Sequence, residues 1–273
     1  DYGMSQNKVF YHALFRHMQA VGRRGCNRTA FELSKLLLSL SPDDDPLGLL
    51  LCIDYYALRC RMFTFVQDLF NYYDNTPKTH PQHHVTSLPN HLFSNALAKF
   101  NIESGVSGAG AKTQPNPQTA AQPSAKTLLE DALVRYPAIL NALLEKACVP
   151  RESGIWGTVL NHYLFRASPE TQVTETVTHL QNIFVERNLI LWKAPNVLAF
   201  LQSAALGATQ RYDVREATLL EAFHGNKQRV IPATVYRHIL ISNFSDAITT
   251  IPREALEEAA GNMGDLGAAE AGA

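Results

Sequence analysis

The sequence predicts an all-α fold, read as a tetratricopeptide-like array of helical hairpins (an α-solenoid) with a disordered insert and tail. Three observations predict it. Apolar residues recur at spacings of three and four along most of the chain. Prolines and glycines fall between those stripes. Period-two alternation is missing, apart from short ambiguous runs at 230–235 and 239–241. A chain of 273 residues suits one stacked helical array, or two domains of about 150 residues each.

The first helix carries the stripe Phe10, Ala13, Leu14, Met18 and Val21 and ends around Gly22 to Gly25. The second carries Ala30, Leu33, Leu37 and Leu40 and stops before Pro42, because the residue before proline is pushed out of the α region. Asp45 and Pro46 then read as N-cap and first residue of a third helix running to about Arg61. A fourth helix carries Phe63, Val66, Phe70 and Tyr73. Residues 75–91 read as a proline-rich loop leading to a short helix with Leu92, Phe93, Ala96, Leu97 and Phe100. Stripes resume at Leu129 and break at Pro137, which separates two helices. They continue through Leu180, Phe184, Val197, Leu201 and residues 214–220 to a last stripe from Tyr236 to Ile251, with 151–175 ambiguous. Ala30 and Pro42, and Ala125 and Pro137, share a spacing of twelve, which fits the small-residue and terminating-proline grammar of tetratricopeptide repeats. The expected organisation is 5–100 helical hairpins, 101–124 disordered linker, 125–252 continuing helical repeats and 253–273 tail.

With 24 basic and 25 acidic side chains the net charge is −1, so any site for a phosphate polymer must be local. No helix reads as carrying a basic stripe. The longest apolar run, near Leu47 to Ile53, is far short of the roughly 18 to 20 residues that cross a bilayer, so no membrane span is expected. Four cysteines without a Cys-x-x-Cys pair point to a reducing compartment, and Asp1 in place of Met to a chain cut from a longer one.

Residues 105–113 (GVSGAGAKT) come within one residue of the phosphate-loop spacing, but Ala111 misaligns Lys112 and the prolines that follow cannot open a helix, so linker composition accounts for them. His80, His83, His84 and His91 lie close together on a loop that fixes no tetrahedron, and a solvated loop is the better account. Asp43, Asp44 and Asp45 read as helix-capping acids rather than a cation site. No nucleophile, metal-hydrolase or cofactor motif is visible, so the expectation is a protein that binds rather than catalyses, with no cofactor and no metal.

Three features point to partner binding. Arg23, Arg24 and Arg28 cluster at the first interhelical turn, suited to a carboxylate or phosphate, with pairing to helix carbonyls or to residues 43–45 as the alternative. Asp54 falls within the apolar stripe of the third helix and must find a partner or lie in a groove, with an internal ion pair to an arginine such as Arg28 or Arg61 as the plainer account. Tyr55, Tyr56, Tyr72 and Tyr73, with Arg59, Trp192 and Lys193, are residue types that anchor interfaces, or, for the aromatics, simply fill cores.

Residues 22–30 (GRRGCNRTA), 35–47 (KLLLSLSPDDDPL) and 53–59 (IDYYALR) resemble the signature block of the transcription factor 25 family, whose fungal members are called ribosome quality control complex subunit 1. Echoes continue at 88–90 (LPN) with Phe93 and Ser94, at 128–148, at 191–195 (LWKAP) and at 236–242 (YRHILIS). The resemblance implies a non-catalytic subunit acting on large ribosomal subunits obstructed by a stalled nascent chain. It would work beside a Listerin-type RING ubiquitin ligase and favour ubiquitin chains of the linkage that signals degradation. The implied partners are that ligase, ubiquitin and the large ribosomal subunit, with a cytoplasmic, ribosome-associated location and a nuclear one besides. The older family name implies a nuclear transcriptional repressor instead, but no direct DNA binding is expected of a chain with this charge.

Overall fold

A computed structural model describes residues 2–77, 79–80, 82, 84–106, 108, 123–151, 154–166, 175–211 and 232–244. The described residues form helices and turns, without strands. The linker after residue 108, most of the phosphate-loop-like string, His83, the stripe at 214–220 and the tail lie outside them.

The helices are α1 (Ser5–Arg23), α2 (Asn27–Leu40), α3 (Ile53–Arg59), α4 (Phe63–Asp74), α5 (Pro89–Glu103), α6 (Ala125–Arg135), α7 (Pro137–Lys146), α8 (Gly154–Leu160), α9 (Tyr163–Arg166), α10 (Glu175–Trp192), α11 (Pro195–Arg211) and α12 (Pro232–Ser242). Helices adjacent in sequence pair, α1 with α2, α2 with α3, α4 with α5 and α5 with α6. Elements distant in sequence also meet: α6 packs on α11, α7 on α10, and α12 on both α1 and α10. The run at 239–241 that looked strand-compatible lies in α12, and the ambiguous 151–175 holds the short helices α8 and α9.

Tertiary packing turns the first two helices by about one residue from the expected face. On α1 the buried side chains are Tyr11, His12, Phe15, Met18 and Gln19 while Phe10 is exposed; on α2 they are Ala30, Phe31, Ser34 and Leu37 while Leu40 is exposed. The ring of Phe15 meets His238 of α12 edge-on at 5.7 Å, a contact that period alone does not reveal. Ser34 is tolerated inside because its hydroxyl donates to the Phe31 carbonyl at 2.7 Å.

The expected third helix from Pro46 is corrected. The chain turns at Gly48 (φ 66°), makes a 3₁₀ turn at Leu49–Leu51 and only then starts α3. Asp45 still caps, but with both oxygens and further along: it accepts from the amides of Leu49 and Leu50 at 2.6 and 2.8 Å. It is buried, and desolvation raises its pKa to about 6 despite those two donors.

The other helix starts follow local rules. Pro89 and Pro137 occupy first-turn positions of α5 and α7, where a missing amide proton costs nothing. Ser124 caps α6 by accepting from the Thr127 amide. Helix α5 is longer than expected and buried nearly all round. Its Phe93 meets Phe184 and Trp192 of α10 at 5.1 and 5.8 Å between ring centres. His91, expected on a loop, is inside α5 and donates Nε2–H to the Leu50 carbonyl at 2.8 Å.

Candidate functional site

Two interhelical turns lie side by side at one end of the first four helices, and the same backbone closure makes both. After α1 the amide of Cys26 donates to the Val21 carbonyl at 3.0 Å, with Gly25 at φ 84°; after α3 the amide of Met62 donates to the Ala57 carbonyl at 2.8 Å, with Arg61 at φ 58°. This is the helix-terminating motif in which glycine ordinarily takes the left-handed position. The first turn obeys that preference and the second places an arginine there. Gly22 permits their close approach, since a Cβ on it would sit 2.9 Å from Cε1 of Tyr56. Arg28 closes the other side, its Nη1 3.0 Å from Sδ of Met62.

A buried polar cluster stiffens this frame from within. Asp54 is fully buried on α3; its Oδ1 accepts from Nδ2 of Asn90 at 2.9 Å and its Oδ2 from the hydroxyl of Ser94 at 2.6 Å. Asn90 also donates to the Leu50 carbonyl at 2.9 Å. Asn90 and Ser94, four residues apart, share one face of α5, so two donors meet two carboxylate oxygens. Asp54 thus has the partner its place in the stripe requires and lies in no groove, but among the described residues no arginine pairs with it, so the expected ion pair with Arg28 or Arg61 is corrected to hydrogen bonds from Asn90 and Ser94. Arg28 pairs instead with Glu32 at 2.9 Å. Neutral donors can follow a carboxylate into the interior without a second ion having to be desolvated.

A second network locks α12 onto this frame. Arg187 of α10 donates to Ser242 at 3.0 Å and to Nε2 of His238 at 2.9 Å, which leaves Nδ1–H of His238 to donate to the Leu47 carbonyl at 2.8 Å. Burial first, and then the Arg187 charge, lower the His238 pKa to about 3, so the imidazole is neutral.

The expected partner-binding residues divide accordingly. Arg23, Arg24 and Arg28 are exposed around the first turn, and Arg59 is half-buried beside the second with its Nε unbonded. Residues 43–45 do not receive the arginines: Asp43 faces His80 at 3.4 Å, Asp44 accepts from Ser41, and Asp45 caps. Tyr56 is buried, and desolvation raises its hydroxyl to about 12, which removes it and Asp54 from the surface. Tyr55 is half-buried against it, ring centres 5.2 Å apart. Trp192 is a core residue, 1% exposed, so it anchors α10 rather than a partner, while Lys193 beside it is exposed. Tyr72 is exposed and Tyr73 buried.

The sequence offered Arg61 only as a helix end and an ion-pair candidate, although a non-glycine at a helix stop signals its place in the second turn, and nothing in the sequence joined Asn90 and Ser94 to Asp54. Sequence reasoning also missed that cations run along α1. Burial chiefly lowers the His12 pKa, with the charges of Arg16, Arg237 and Lys8 adding to it. Among the described residues no group of three His, Cys, Asp or Glu side chains is placed to hold a metal ion, and no helix is long and apolar enough to cross a membrane. The four cysteines are free, with Cys52 buried.

A family model described as Transcriptional repressor TCF25 matches residues 1–265. A human protein named Ribosome quality control complex subunit TCF25 is 31% identical over 256 residues, 92% of this chain and 35% of its own length. A Dictyostelium discoideum protein of the same name is 30% identical over 267 residues, 94% of this chain and 35% of its own length. Ribosome quality control complex subunit 1 of Schizosaccharomyces pombe is 28% identical over 230 residues, 84% of this chain and 30% of its own length. The chain thus spans about a third of the length of the curated relatives it matches. No solved structure matches it. With its signature segments packed as one frame and a family match over nearly the whole chain, this protein belongs to the TCF25 family.

Proposed function

We propose that the chain is a non-catalytic adaptor of the ribosome-associated quality control complex. It assists a Listerin-type RING ligase in building degradation-signalling ubiquitin chains on nascent chains stalled at the large ribosomal subunit. One observation carries this reading: segments 22–30 and 53–59 are clamped together at Gly22 and Tyr56, over a buried Asp54, Asn90 and Ser94 cluster, and turn Arg23, Arg24 and Arg28 outward. A rigid frame with exposed guanidinium groups holds one macromolecule against another and needs no bond chemistry of its own. Arg23, Arg24, Arg28 and Arg59 are the proposed contacts, with half-buried Tyr55 and exposed Lys193 as further ones. The paired helices α1 and α2 supply the hairpin for which a tetratricopeptide-like reading is proposed. The site of action is the cytoplasmic ribosome.

Reconstituted ubiquitination of stalled nascent chains by the ligase, with and without the protein, tests the reading. Degradation-signalling linkages should rise with the protein and fall back with Arg23→Glu/Arg24→Glu. Equal linkage with and without it would refute the adaptor role. The repressor named in the family description is the second reading, and specific, salt-sensitive retention on DNA would favour it.

A further inference from the structure

The charge on this chain is distributed very unevenly. Residues 2–31 hold Lys8, Arg16, Arg23, Arg24 and Arg28 with no Asp or Glu, and residues 55–67 hold Arg59 and Arg61 with none. The turn geometry brings the two segments together, Arg28 touching Met62 and Gly22 facing Tyr56. Arg23, Arg24 and Arg61 are exposed, and among the described residues none has a carboxylate within ion-pair distance; only Arg28 has one, and Glu32 shares that with Lys35. Arg16 lies seven residues before Arg23 on α1, on the same face about 10 Å away, and is also exposed. Helices α1 and α3 end here while α2 and α4 begin, so their dipoles largely cancel and the guanidinium groups set the field.

What this end lacks decides the partner. Among the described residues no exposed large apolar side chain falls within 11–35 or 41–71, the segments that carry these arginines, where Tyr55 and Met62 are only half-buried. Protein interfaces are built around large apolar or aromatic anchors ringed by polar groups, and these two segments expose arginines in place of such anchors. A row of arginines without an apolar centre suits a polyanion met through its phosphates, each taken by a planar fork of N–H donors.

We propose that Arg16, Arg23, Arg24, Arg28, Arg59 and Arg61 form a docking surface for the ribose–phosphate backbone of RNA. The proposal rests on the adaptor reading above and names the component of the large ribosomal subunit that this face meets. Binding here reads backbone and not base, so it is sequence-tolerant and steeply dependent on salt.

Fluorescence anisotropy of a labelled mixed-sequence RNA duplex with the purified chain tests it. The log–log salt slope should lie near −4, and affinity should fall about 10²-fold between 50 and 200 mM salt, for roughly four to five phosphates engaged. Arg23→Gln/Arg24→Gln/Arg61→Gln should weaken binding more than tenfold and flatten the slope by about 3, one for each contact removed. The Lys versions should keep most of the affinity, and Arg151→Gln, away from the patch, should change nothing. Circular dichroism melts of all variants should overlay, which excludes unfolding as the cause.

Absence of salt-dependent RNA binding by the wild type, or binding indifferent to the triple variant, overturns the proposal. So does tighter binding of a polyglutamate peptide, which would make the patch a protein dock, or of a DNA duplex of the same sequence, which would turn it towards the repressor reading. The ubiquitination assay reports separately: RNA binding retained with no effect on linkage would refute the adaptor and leave the patch standing, and the reverse would refute the patch alone.

Discussion

Ser94 donates its hydroxyl proton to Oδ2 of Asp54 across the interface of α5 and α3, at 2.6 Å and out of reach of solvent. The bond joins two segments separated by 40 residues and holds the frame beneath the exposed arginines. Ser94→Ala leaves one oxygen of a buried carboxylate without a donor, so it should cost about 1–3 kcal/mol, read as a lower urea midpoint with an unchanged slope. Adding Asp54→Ala should cost less than the two single changes summed, because the pair shares one contact. Strict additivity would show that the cluster is not coupled.

Asp45 gives a second prediction. Asp45→Ala strips two buried amides, Leu49 and Leu50, of their acceptor, and should cost about 2 kcal/mol or more, beyond the roughly 1 kcal/mol of an ordinary helix cap. Asp45→Asn keeps one acceptor oxygen and tolerates the positive φ of 39°, so it should cost clearly less. Equal losses for the two variants would contradict the two-amide arrangement.

Gly22→Ala places a Cβ 2.9 Å from the Tyr56 ring. Alanine is the better helix former by about 1 kcal/mol, but overpacking a closed contact typically costs about 1–3 kcal/mol, so the midpoint should drop. A raised midpoint would show the two turns to be further apart than described.

Stability should fall on acidification, with a change of slope. Buried His238, held at about 3, binds a proton in the unfolded chain near the ordinary value of 6.5 but not in the fold until far lower pH, and His91, lowered chiefly by burial, acts in the same direction. Their contribution is complete above that value and drains away below it, by at most about 1.4 kcal/mol per pH unit per group. Asp45, raised from 3.8 to about 6, acts the other way: the fold holds a proton that the unfolded chain releases, so its contribution is present at low pH and lost as pH rises through 6. Between about 4 and 6 the aspartate therefore offsets one histidine, and below 4 the decline steepens. In Asp45→Asn the offset disappears and the decline should be steep from 6.5 downward. Parallel profiles for the wild type and that variant would contradict the assignment.

Much of the fold was legible because helix-forming rules are local. The stops at Leu40, Arg135 and Asp74 followed from Pro42, Pro137 and the end of an apolar stripe. Losses came where distant contacts decide. The buried face of α1 meets α12, where Phe15 packs on His238, and the 3₁₀ turn after Gly48 is held by buried Asp45, which takes the amides of Leu49 and Leu50. Within the site, the arginines were legible as exposed charge at a turn, whereas the fates of Asp54, Tyr56 and Trp192 depended on partners 30 to 100 residues away in sequence. An acid within an apolar stripe signals burial, but only the structure tells a neutral hydrogen-bonding partner from an arginine.

Co-sedimentation with large ribosomal subunits bearing a stalled nascent chain and the Listerin-type ligase tests the adaptor account most directly. The account predicts that the protein travels with those particles and that Arg23→Glu/Arg24→Glu releases it while its helicity is unchanged. A protein that stays at the top of the gradient with the ligase bound below, or a charge-reversed variant that sediments as well as the wild type, would contradict it.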